Sequence, residues 1–326
     1  MPIPSRPSPA SRLAALLLAA CATVAHAAFP DKPIRLVVPY AAGGGTDAIA
    51  RHLAQRLGPR LDNQPVLVDN RTGADGIIGT EYVAKSPPDG YTYVLVVTAH
   101  LVNPYIKKKL PFDTLEDLVG VTRVAQSPMV FAAKADAPYS NPQELAAAIR
   151  KDLKAYGSYG SSDSMTRLVG AMFNQKQHLA DVTHIAYRGG APLVADTAAG
   201  NLGFAVTTLL SAKPLIEAGR LKAIGITSGT RSPLLPSAPT MVESGMKDFE
   251  IYITYSIYAP AKTPREILER MQHEVAAVVK SPEMVEILAQ QAAVPVANSV
   301  TEFNAQSRSE AKFWEKLVKD TGIVPE

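Results

Sequence analysis

Gly43-Gly44-Gly45 stands directly before Thr46-Asp47 and shortly after an apolar run, Ile34–Val38. Consecutive glycines let a backbone approach a ligand closely and turn several N–H groups toward one point. Thr46 is placed to cap the helix that follows, and the free amides and positive dipole end of a helix start favour an anion. The segment Pro39–Asp47 therefore reads as a nest for a carboxylate or phosphate, or else as a tight ligand-free turn. It is not a P-loop, because no Lys-Ser/Thr pair follows at the required spacing. The G-x-G-x-x-G dinucleotide pattern fails at Ala48.

Two further segments have the same strand-to-helix setting. Asn70–Gly79 carries Gly73, Ala74, Asp75 and Gly76, and loops of this kind emerge along one edge of a parallel sheet. Side by side, the two loops can grip both oxygens of one carboxylate or the two ends of a short diacid. Tyr156–Ser162 offers Ser158, Tyr159, Ser161 and Ser162 as a facing wall, unless it is an ordinary Ser-rich turn. From these segments the candidate ligand-binding set is Tyr40, Ala42, Gly43, Gly44, Gly45, Thr46, Asp47, Gly73, Ala74, Asp75, Gly76, Ser158, Tyr159, Ser161 and Ser162. Thr98 and His100, just beyond the strand ending at Val97, and the ring of Tyr187 complete it.

Nothing in the pattern assembles a catalytic centre. The histidines are scattered, with no H-E-x-x-H, C-x-x-C or G-x-S-x-G, so no catalytic residue, metal ligand or cofactor is assigned.

The elements that must position these loops alternate strand and helix. Ile34–Val38, Val66–Val68 and Tyr91–Val97 read as strands. Between them lie a helix with Ile49, Leu53 and Leu57 on one face and another over Glu81–Lys85. This βαβαβ order calls for a mainly parallel sheet. A second series predicts strands at Val130–Ala133, Ala155–Ser158, Thr183–Ala186, Phe204–Thr207 and Leu221–Thr227. Helices are expected over Pro142–Asp152, Met165–Asn174 and Pro192–Ala199. After a Pro-rich loop at Ser232–Pro239 come a strand near Ile251–Tyr258 and helices over Pro264–Val279, Pro282–Gln291 and Val300–Thr321. The fold class is thus α/β in two lobes, with lobe one over 28–128 and 254–326 and lobe two over 129–253. Ligand is expected in the cleft between them.

Composition narrows the function classes. Of 326 residues, 47% are hydrophobic and 19% charged, which is globular; the net charge of +3 has no basic tract, so nucleic acid is not an expected partner. At the N-terminus, Arg6 and Arg12, an apolar stretch from Leu13 to Ala20 and Ala25-His26-Ala27 form a secretory signal over residues 1–27. Leu18-Ala19-Ala20-Cys21 also has the form of a lipoprotein box, so lipid tethering at Cys21 stands as an alternative to free release into the periplasm. Cys21 is the only cysteine, and the chain beyond the leader needs no disulfide when its core is large enough.

Pro39–Arg51, Asn70–Gly79, Asp89-Gly90-Tyr91-Thr92, Ile185–Pro192, Ile224–Arg231, Leu235–Thr240 and Ala259–Pro264 occur in order along the chain. With them the sequence resembles the Bug-type receptors, the extracytoplasmic solute-binding component of tripartite tricarboxylate transporters. The resemblance implies a Venus-flytrap fold of the type II periplasmic class. It implies that backbone groups of Gly43–Asp47 and Gly73–Gly76 hold a ligand carboxylate, with bridging water. It also implies a small carboxylate or acidic amino acid as ligand, a two-part membrane permease as partner, and no enzymatic activity; a monomer is expected. Asp75 departs from the glycine usual in the second loop. Asp163, Arg167 and Thr207 depart from a neutral residue, a histidine and an often acidic residue. Arg167 can pair with a distal ligand carboxylate or simply face water, as most arginines do.

The mechanism expected is capture by closure, with hinges near Ser127–Val130 and Tyr252–Ser256. Two alternatives remain at this level: a periplasmic sensor with the same ligand and fold, and a periplasmic hydrolase or isomerase, which needs a titrating group such as His100 or Asp75 beside the substrate.

Overall fold

The computed structural model describes residues 29–325, so the leader and Cys21 lie outside the described residues. Strand β1 (Ile34–Val38) pairs in parallel with β2 (Val66–Asn70) and β3 (Thr92–Val97). Helix α1 (Gly45–Leu57) covers this sheet with Ile49, Leu53 and Leu57 fully enclosed. Burying each of these side chains contributes about 1.5–3 kcal/mol relative to leaving it in water. Helices α2 (Ile77–Ala84) and α3 (Ala99–Ile106) follow β2 and β3.

The longest strand, β4 (Leu118–Lys134, 17 residues), joins the two halves of the molecule. From Leu118 to Pro128 it pairs antiparallel with β9 (Tyr252–Pro260); from Met129 onward it pairs with β7 (Phe204–Thr208) and β8 (Leu221–Ile226). Only its last residues were expected as strand. Gly120, Arg123, Gln126 and Pro128 interrupt the apolar run, and Arg123 is buried because it pairs with Glu310.

The second half holds α4 (Pro142–Lys151), the short α5 (Leu153–Tyr156), β5 (Ser158–Ser161), α6 (Ser164–Lys176), β6 (Thr183–Ala186), α7 (Gly190–Ala199) and α8 (Leu209–Glu217). The strand expected at Ala155–Ser158 begins three residues later. Asp152 caps a helical turn there by accepting from the Ala155 amide, which delays the extended run. The return through β9 leads into α9 (Arg265–Val279), α10 (Pro282–Ala289), β10 (Val294–Pro295) and α11 (Val300–Thr321).

The strand order is β2-β1-β3-β9-β4-β7-β5-β6, with β8 and β10 also on β4. The chain passes between the two sheets at Pro128–Met129 and again at Ile251–Tyr252. Thr227 ties both crossings together: its hydroxyl donates to the Ile251 carbonyl and accepts from the Met129 amide.

Candidate functional site

A cavity of about 660 Å³ lies between the halves. Its first wall is Tyr40 to Thr46, the turn that opens α1. Gly44 is the N-cap of this helix and makes no side-chain cap bond, so among the described residues the amides of Gly45 and Thr46, both residues of the cavity lining, have no partner. Asn141, Asp163, Ser281 and Ser299, by contrast, each cap a helix through a side chain.

Asp47, expected among the ligand-binding residues, turns inward and builds the loop. Its carboxylate accepts from the Gly43 amide (2.9 Å), Arg51 Nε (2.9 Å) and Asn70 Nδ2 (2.9 Å). Burial works against its charge, yet the hydrogen bonds from Arg51, Gly43 and Asn70 outweigh it and hold the carboxyl below its ordinary range. Asn70 also donates to the Tyr40 carbonyl, which fixes β2 to the turn.

The second loop, Gly73–Gly76, is not part of the cavity lining. It packs behind Tyr40, whose ring would lie 3.2–3.3 Å from a Cβ on Gly76. Ala74 (φ 47°), Asp75 (φ 54°) and Gly76 (φ 88°) are all left-handed, a costly run for two non-glycine residues. The run is held from outside: Asn103 Nδ2 donates to the Asp75 carbonyl (3.2 Å), and Lys107 Nζ lies 2.9 Å from its carboxylate. Ser164 of the other half donates to the same carboxylate (3.1 Å). Asp75 is thus a contact between lobes.

The opposite wall is Ser162-Asp163, Arg188 to Pro192, and Thr208 to Leu215 at the start of α8; Ile253 and Tyr255 of β9 also contribute. Gly189 caps α7 without a side-chain bond. Of the Ser-rich segment only Ser162 lines the cavity. Ser161 faces His184 (2.7 Å), Ser158 accepts from the Gly203 amide, and Tyr159 packs on Phe204 with its hydroxyl donating to the Arg167 carbonyl. Just beyond β6, Tyr187 donates to Asp196 (2.7 Å), while Arg188, the next residue, lines the cavity. Thr98 exchanges hydrogen bonds with Thr254 inside the first half.

His100, on which a catalytic reading would depend, is enclosed between Phe112 and Tyr258. Its Nε2 lacks a hydrogen-bond partner among the described residues. Burial pulls its pKa down to about 4, so it is a neutral core residue. Asp163 caps α6 by accepting from the Thr166 amide, and burial raises its pKa, with Asp75 adding to the rise.

Among the lining residues missed from sequence are Arg188, Gly189, Gly190, Leu210, Ser211 and Tyr255. Helix α8 carries two of them and was not foreseen, because Pro214 interrupts its helical pattern. Arg188-Gly189-Gly190 had the signal of the first loop, glycines ahead of a helix start.

Two α/β lobes on crossing strands, with a cavity between them opened by an uncapped helix start, define a periplasmic solute-binding protein. Residues 49–323 match the family described as tripartite tricarboxylate transporter family receptor. BugT of Bordetella pertussis is 31% identical over 304 residues, covering 92% of this chain and 93% of its own. A protein from the tcbD-tcbE intergenic region of Pseudomonas sp. strain P51 is 34% identical over 295 residues, covering 89% of this chain and 87% of its own. Among solved structures, the periplasmic binding protein BugD superposes with a TM-score of 0.83 at 30% identity, over 91% of this chain and 100% of that one. R. palustris Rpa4515 with adipate gives 0.85 at 30%, over the same shares. The chain belongs to the tripartite tricarboxylate transporter receptor family, whose members are solute-binding proteins and not enzymes. Among the described residues no helix is long and apolar enough to cross a membrane.

Proposed function

We propose that this chain captures a small carboxylate outside the cytoplasm and delivers it to a two-component membrane permease. The observation that carries the reading is the uncapped start of α1, whose Gly45 and Thr46 amides line the cavity between the lobes. A carboxylate there takes up free N–H groups and lies at the positive end of a 13-residue helix. Family membership and the adipate held by Rpa4515 support an acid as ligand.

Residues 1–27 direct export, with release after Ala27, and the receptor acts as a monomer. Lobe one (28–128 and 254–326) docks the acid and lobe two (129–253) closes over it. Rotation occurs about Ser127–Val130 and Tyr252–Ser256, and the closed face is what the permease reads.

Native mass spectrometry of the purified protein, followed by thermal-shift screening of carboxylates, tests the reading. A genuine ligand at about one hundred times its dissociation constant stabilises by roughly 2.7 kcal/mol. Absence of a shift with every mono-, di- and tricarboxylate would overturn it.

A further inference from the structure

The chemistry of the cavity beyond the carboxylate anchor selects the rest of the ligand. Only two side chains of the lining are charged, Asp163 and Arg188, and they are of opposite sign. Arg188 is exposed at the rim, where pairing with an anion is weak because water screens it. Asp163 is half-buried within the lining, close enough to Tyr40 and Tyr255 to raise the pKa of each hydroxyl. A second anionic group placed near it meets like charge.

The wall facing the anchor carries a block of apolar side chains, Pro192, Val194 and Ala195 from α7 and Leu210, Pro214 and Leu215 from α8, with the hydroxyls of Thr208 and Ser211 beside it. Leu210 reaches directly over the anchor, for a Cβ on Gly45 would lie 2.6 Å from its Cδ2. The atoms next to a bound carboxylate therefore touch hydrocarbon. Pro192 also removes one amide from the start of α7, so that helix end is a poorer second anion site than α1. Hydroxyl groups on the ligand body set against these six apolar side chains would lose water without gaining partners.

Resting on the carboxylate reading above, we propose that this receptor is built for acids with an unhydroxylated hydrocarbon body, and that Leu210 and Leu215 are specificity-determining residues. Hydroxylated di- and tricarboxylates are discriminated against, both by the apolar wall and by the lack of an enclosed cation for their further charges.

The test is calorimetric titration of the full-length mature protein with butyrate, hexanoate and phenylacetate against malate, tartrate and citrate, at one pH and ionic strength. The expected result is that the best hydrocarbon-bodied acid binds at least tenfold tighter than the best hydroxylated one. Affinity should rise roughly fourfold per added methylene from butyrate to hexanoate. Equal or tighter binding of malate, tartrate or citrate overturns the inference while leaving a carboxylate receptor in place; binding of no acid at all removes both. Leu210→Asn, with Leu215→Asn as a second variant, should weaken hexanoate and phenylacetate at least fivefold and change malate by less than twofold. Equal weakening of every acid would show that these residues act on closure and not on the ligand body, which contradicts the assignment.

Discussion

Asp75 and Ser164 meet across the cleft, the serine hydroxyl 3.1 Å from a carboxylate oxygen that Lys107 also holds at 2.9 Å. The same hydroxyl lies 2.8 Å from the Asn103 side-chain oxygen, so its one proton is shared between the two acceptors and one small polar group joins the second loop, α3 and the start of α6. The contact joins the two halves of the molecule, so any motion that parts them must break it.

Asp75→Asn keeps a residue that tolerates the left-handed turn and removes the charge that Lys107 pairs with. Closure should lose about 1 kcal/mol, seen as a roughly fivefold faster ligand dissociation in stopped-flow. The unfolding midpoint should hardly change, since the pair is partly exposed. An unchanged dissociation rate would remove Asp75 from the closure step.

Asp47 predicts a different outcome, because its three hydrogen bonds lie within one lobe. Asp47→Ala should cost about 1–3 kcal/mol in urea unfolding at pH 7 and abolish carboxylate binding by releasing the Gly43 turn. Its folded pKa is depressed, so the stabilisation is complete above the unfolded value of about 4 and is lost as pH falls through the folded value. The gap between wild type and variant should therefore narrow as pH falls below about 4 and through the depressed folded value.

His100 is the acid-sensitive core residue. Its folded pKa of about 4 lies below the unfolded value near 6.5. Unfolded chains take up the proton first, so stability falls by about 3 kcal/mol in total as pH drops from about 7 to about 4. In His100→Phe, which keeps the ring packing on Phe112 and Tyr258, the melting temperature should vary less over that range. An identical pH profile would contradict this assignment.

Gly45→Val puts branched carbon against Leu210, whose Cδ2 would lie 2.6 Å from the new Cβ. Ligand affinity should fall at least tenfold, while the melting temperature of the ligand-free protein moves little. A small drop in affinity would mean that Leu210 can yield without cost.

Much of this architecture was legible in the chain. Ile34–Val38 and Tyr91–Val97 are apolar without alternation because both sheet faces are covered, and Val300–Thr321 shows its bounds through a capping box at Ser299 and Glu302. The first half of β4 was hidden because tertiary partners bury its polar residues, as Glu310 does for Arg123. At the site, glycine content revealed the α1 turn, but direction was not readable. Tyr159, Ser161 and Tyr187 belong to the right segments and point away from the cavity, while Arg188, one residue on, lines it. The second loop has the composition of an anion nest, and its Asp75 instead serves the contact between lobes.

A crystal structure of the mature protein with the carboxylate recovered by native mass spectrometry tests the central claim most directly. One carboxylate group should lie within hydrogen-bonding distance of the Gly45 and Thr46 amides at the start of α1, closed in by Leu210 and the α7–α8 wall. A ligand held elsewhere, with those amides facing only water, would contradict it.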